Sequence, residues 1–128
     1  MFNQEIFTSQ IKPERFPFPC EGDITLAVRN MNYALGPVML HLVLEPGSVI
    51  PAHFHVGVAE VLYVLDGDFI NEGKQHLPGT SLHAVPGQWH GPHSTETGCK
   101  VLVLWTAHTA TQEANLGDFV VYKTVGAK

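Results

Sequence analysis

His53 and His55 stand two residues apart in the run Gly47-Ser48-Val49-Ile50-Pro51-Ala52-His53-Phe54-His55-Val56-Gly57-Val58-Ala59-Glu60. On a strand, residues i and i+2 share a face, so the two imidazoles stand side by side, roughly 6–7 Å apart at the backbone. Imidazoles are long enough to converge on one ion at about 2.0–2.2 Å. Glu60 would add a carboxylate and leave open positions opposite. His55 and Glu60 are five apart, so an unbroken strand would point them in opposite directions. The chain must break between them, and Gly57 is the natural place. Glu60 then returns facing inward beside Leu62 and Val64. Downstream, Pro86-Gly87-Gln88-Trp89-His90 makes a turn that delivers His90 to the start of a new element.

The bland alternative for His53 and His55 is a pair of hydrogen-bonded histidines on a half-buried strand. Two imidazoles in alternation with a nearby carboxylate favour a divalent metal ion instead. Fe(II), Zn, Mn and Ni all accept such ligands. Tyr63, Trp89, His93 and Trp105 are the expected substrate-pocket residues, with packing as the competing role for the aromatics. His41 and His83 read as packing or hydrogen-bonding groups, and His76 and His108 as surface residues.

The elements that must position these groups are short strands. With 12 Gly, 9 Pro and 45% apolar residues in 128, the chain is one packed domain with many turns rather than a helix bundle. Alternation or apolar runs predict strands over 23–30, 38–44, 60–65, 69–71, 81–85, 100–106 and 118–125. Glu72-Gly73-Lys74 reads as a hairpin turn. Only 109–116 has helical character. Seven or so strands with turns between them predict an all-β sandwich or barrel over 23–128. Residues 1–22, broken by Pro13, Pro17 and Pro19, form an arm whose Phe2, Ile6, Phe7, Phe16 and Phe18 must be covered by the barrel or a second subunit.

Charge narrows the partners. The net charge is −5, and the seven Lys and Arg are never adjacent. Nucleic acid and a polybasic membrane contact are both disfavoured. No apolar run approaches ~18 residues, and no signal peptide is visible at the N-terminus. With Cys20 and Cys99 far apart, a cytoplasmic protein with reduced thiols is the expectation.

The motif Gly47-x5-His53-x-His55-x4-Glu60-x6-Gly67 resembles the first motif of the cupin superfamily. Gly79, Gly87 and His90 fall in register with the second, G-x5-P-x-G-x2-H-x3-N. Pro86 comes one position late, and Ser94 stands where Asn is frequent. The resemblance covers about residues 38–106. It implies a double-stranded β-helix, a jelly-roll barrel with one ion held by His53, His55, Glu60 and His90.

Two groups of cupins look similar. In the small dioxygenases that cleave acetylacetone or dihydroxyacetophenone, three His hold iron and the motif carboxylate stays beside it. That likeness implies Fe(II), a diketone, hydroxyketone or phenolic substrate, and a homodimer. The zinc-binding domain of ChrR-type anti-sigma factors is the other, resembling Gly79 to Cys99. It implies a non-catalytic sensor, although no separate sigma-binding helical region is seen. A metal-free, ligand-binding cupin is the third reading.

Overall fold

The computed structural model describes residues 2, 4–30, 37–107 and 118–121. Its strands are β1 (Glu14–Arg15), β2 (Ile24–Val28), β3 (Val38–Leu44), β4 (Val49–Ile50), β5 (His53–Phe54) and β6 (Val58–Gly67), followed by β7 (Phe69–Asn71), β8 (Lys74–His76), β9 (Ser81–Ala84), β10 (His93–Ser94), β11 (Cys99–Ala107) and β12 (Val120–Val121). One 3-10 turn spans Thr8–Gln10. All pairings are antiparallel, in three sheets ordered β1-β2-β3-β11-β6-β9, β4-β10-β7-β8 and β12-β5.

Strict alternation builds the barrel wall. Val38, Leu40, Leu42 and Leu44 of β3 are buried, while Met39, His41 and Val43 lie on the other face and are only partly covered. Across the ladder, Val101 and Val103 of β11 and Leu62 and Val64 of β6 point the same way. They meet Ile50 of β4 and Phe69 of β7 in one apolar core, so the two larger sheets enclose a single interior. The architecture is the single-domain jelly roll expected above.

The turn after β6 is fixed by close approach. Gly67 has φ 82°, and a Cβ there would lie 2.0 Å from the Gly98 carbonyl oxygen. Asp68 next to it ties the strand ends together. Its carboxylate accepts from the Thr95 hydroxyl, the Glu96 amide at 3.0 Å, and the Thr97 amide and hydroxyl at 3.2 and 3.0 Å.

Several boundaries differ from expectation. The N-terminal segment is not wholly irregular, because Glu14 and Arg15 pair with Leu26 and Thr25 at the sheet edge. An edge strand tolerates the flanking prolines, which need not donate to a neighbour. The expected helix at 109–116, His108 and the end of the last strand beyond 121 lie outside the described residues.

Candidate metal centre

β5 is held on both edges. On one, His53 exchanges backbone hydrogen bonds with His90, each 2.9 Å. On the other, Val120 and Val121 pair with Phe54 and His53. The Gly87 amide donates to the His55 carbonyl at 2.7 Å, which seats the Pro86-Gly87 turn against the same segment. Main-chain bonds alone therefore bring the third imidazole to the first two, from a point 37 residues further along the chain.

The break between His55 and β6 occurs at Gly57, as parity requires, but not through a left-handed glycine. Gly57 is absent from the positive-φ positions of the described residues. The break is held by the Asp118 carboxylate, which accepts from the Val56 amide at 2.6 Å and the Gly57 amide at 2.8 Å. Glu60 then faces inward with Leu62 and Val64, all three buried.

One ligand-competent nitrogen from each of His53, His55 and His90 lies within 4.8 Å of the other two. The opposite ring nitrogens are engaged. His53 Nδ1 lies 2.7 Å from the Pro51 carbonyl, and His55 Nδ1 meets the Asp118 carbonyl. A carbonyl only accepts, so each Nδ1 carries the proton and each Nε2 of a neutral ring presents a lone pair. His90 Nδ1 lies 3.1 Å from His93 Nε2.

The Nε2 atoms of His55 and His90 are buried and make no hydrogen bond, although Glu60 oxygens sit 3.7 and 3.2 Å away. The bare Nε2 of His55 facing a carboxylate oxygen is unfavourable unless a cation lies between them. The donor set therefore fits a divalent ion. Trp105 Nε1 donates to Glu60 Oε1 at 2.9 Å, leaving Oε2 as the less encumbered carboxylate oxygen. Glu60 lies outside the mutually close trio, beside two of its members.

Electrostatics agree. Burial pushes the Glu60 carboxyl up, opposed by His55 and the Trp105 indole. Burial lowers His53 to about 4, against the Pro51 hydrogen bond and with help from His55. It lowers His90 to about 3, aided by His53 and His55, and His93 well below the usual range. At neutral pH these rings are uncharged, the state a metal ligand needs.

Two cavities flank the cluster. An apolar one of about 70 Å³ reaches His53, His55, Glu60 and Trp105 from the barrel interior, between side chains such as Leu40, Leu42, Val101 and Val103. A wetter, more open one of about 270 Å³ reaches Glu60, His90 and His93 past Asn71, Gln88 and Trp89. Glu60 and His93 border both.

Of the residues singled out from sequence, His53, His55, Glu60, His90, His93 and Trp105 come together. Trp89 lies at the mouth of the wetter cavity, 44% exposed, its ring 4.5 Å from Phe54. Tyr63 does not line the pocket. Parity that turns Glu60, Leu62 and Val64 inward turns Val61, Tyr63 and Leu65 out, leaving Tyr63 40% exposed. Sequence reasoning missed Asp118 and Phe119. Phe119 stacks on the His53 ring at 4.1 Å and on Phe18 at 4.5 Å. Nothing local to either residue signals a partner some 60 positions away.

A family model, the ChrR Cupin-like domain, matches residues 17–111. A search of curated proteins returned no match. Among solved structures, a Thermotoga maritima protein predicted to be an oxalate decarboxylase aligns with TM-score 0.68 and 23% identity, over 81% of this chain and 99% of that one. A protein of Methylibium petroleiphilum, provisionally assigned as an acetylacetone dioxygenase, aligns with TM-score 0.72 and 15% identity over 99% and 85%. An acetylacetone dioxygenase from Acinetobacter johnsonii aligns with TM-score 0.63 and 13% identity over 92% and 87%. At such identities the likeness is one of fold, which is shared across chemistries. No helix of the described residues is long and apolar enough to cross a membrane.

Proposed function

The chain belongs to the ChrR cupin-like domain family, and we propose that it is a mononuclear metal enzyme, a dioxygenase that cleaves a small diketone, hydroxyketone or phenolic compound. The observation that carries the metal is the trio of imidazoles, each bringing one ring nitrogen within 4.8 Å of the other two, while main-chain carbonyls hold Nδ1 of His53 and His55. His53, His55 and His90 would hold the ion, with Oε2 of Glu60 beside it. A bound redox-active divalent ion such as Fe(II) supplies Lewis acidity toward the substrate oxygens and a route for electrons to dioxygen.

The chain's own residues do the rest. A diketone enters through the wetter cavity, which is the roomier of the two. Glu60 borders that cavity, and its raised affinity for protons suits it to take the acidic proton between two carbonyls. The Trp105 indole holds the other carboxylate oxygen still. The apolar side excludes water from the reacting carbon. Both oxygen atoms enter the products, one carbon–carbon bond breaks, and no external reductant is consumed.

A second reading stands beside it, the non-catalytic zinc-holding domain that the resemblance to ChrR-type domains implies, and the chain's membership of the ChrR cupin-like family supports it. Protein loaded separately with Fe(II) and Zn(II) and given acetylacetone under an oxygen electrode separates the two. Oxygen uptake that needs Fe(II) and vanishes in Glu60→Gln supports the enzyme. Stoichiometric zinc binding with no uptake from any diketone in the iron-loaded form overturns it.

A further inference from the structure

Residues 118–121 belong to no motif, yet they grip the whole His53–Gly57 segment. The Asp118 carboxylate accepts from the Val56 and Gly57 amides, one oxygen to each. The main-chain carbonyl of the same residue accepts from His55 Nδ1. Phe119 lies face to face with His53, rings 4.1 Å apart and 21° from parallel, and Val120 and Val121 complete a two-stranded ladder with Phe54 and His53. Two of the three imidazoles are thus oriented by one short stretch of chain, and the tautomer of His55 is set by it.

We propose that Asp118 is a positioning residue for the metal centre, acting through His55 and the 55–57 turn, so that docking of residues 118–121 and ion binding are thermodynamically linked; this rests on the metal-site reading above. The Asp118 side chain touches no ion. It fixes the backbone carbonyl that orients His55, and partners of metal-bound imidazoles that do this typically carry ~10–100-fold of the affinity. Linkage is reciprocal: if docking pre-aligns the ligands, the ion must in turn hold the segment down.

The test uses the full chain and Zn(II) alone, titrated against a chromophoric chelator. Asp118→Ala should weaken zinc binding by ~10–100-fold while the far-ultraviolet spectrum of the metal-free protein stays that of the wild type. Asp118→Asn keeps one acceptor oxygen and should recover part of the loss; it also carries the test if the alanine variant does not fold. Zn(II) should slow hydrogen exchange at the Val56 and Gly57 amides in the wild type and not in Asp118→Ala. Equal zinc affinity in wild type and both variants overturns the proposal, as do amides 56 and 57 that exchange at the same rate with and without zinc. A wild type that binds no zinc overturns the metal-site reading itself, a result distinguishable from the first two.

Discussion

Trp105 decides which oxygen of Glu60 is free. Its indole N–H is the one hydrogen-bond donor recorded on the carboxylate among the described residues, at 2.9 Å, and both side chains are buried. Trp105→Phe keeps a ring in the wall and removes the donor. An acceptor stranded in an apolar interior costs about 1–3 kcal/mol. The metal-free protein should lose that much in urea unfolding, and lose less when the same change is made in Glu60→Leu. Equal losses in both backgrounds would show that the ring, not the hydrogen bond, matters. At this scale the sequence is informative where chemistry is local. His53, His55 and Glu60 are readable from spacing and parity, and His90 from its register in the second cupin motif. Trp105 is readable only as an apolar aromatic on a strand, because its partner lies 45 residues away. Asp118 and Phe119 are silent for the same reason.

Strands carry the register, and Asp68 is where register is locked by charge. It joins the end of β6 to the 95–98 turn, which leads into β11. Burial pushes its carboxyl up, but hydrogen bonds from the Thr95 hydroxyl, the Glu96 amide and Thr97 outweigh this and hold it at about 2. A depressed carboxyl contributes stability that is full above its ordinary value of 3.8 and is lost as pH falls through about 2. Unfolding free energies of the wild type from urea curves should therefore drop between about pH 4 and pH 2 more steeply than those of Asp68→Asn, which start lower by about 2 kcal/mol. Parallel curves would contradict this. Alternation made β3 readable to the residue, because a two-faced apolar strand has a simple period. The 72–74 hairpin is equally plain: Glu72 and Gly73 take φ of 52° and 78°, the paired left-handed turn that joins β7 to β8. β1 was hidden by its prolines, and β6 runs longer at both ends than its apolar stretch because pairing with β11 extends it.

For the whole molecule, barrel and site are one device. The β3, β6 and β11 side chains that close the core also form the apolar wall facing His53 and His55, while the opposite side of the cluster opens on a wetter space. A sandwich or barrel was legible from strand count and turns, and the cupin motifs narrowed it to a jelly roll. The two-sided access was not legible, since it depends on how far apart sheets stand after packing. Everything functional rests on three imidazoles sharing one ion. The direct measurement is the metal content of protein purified from defined medium, for wild type, His53→Ala and His90→Ala. About one equivalent of a transition metal per chain in the wild type, falling toward zero in both variants with the fold retained, is the result predicted. A full equivalent in either folded variant, or none in the wild type after loading with Fe(II) or Zn(II), would contradict it.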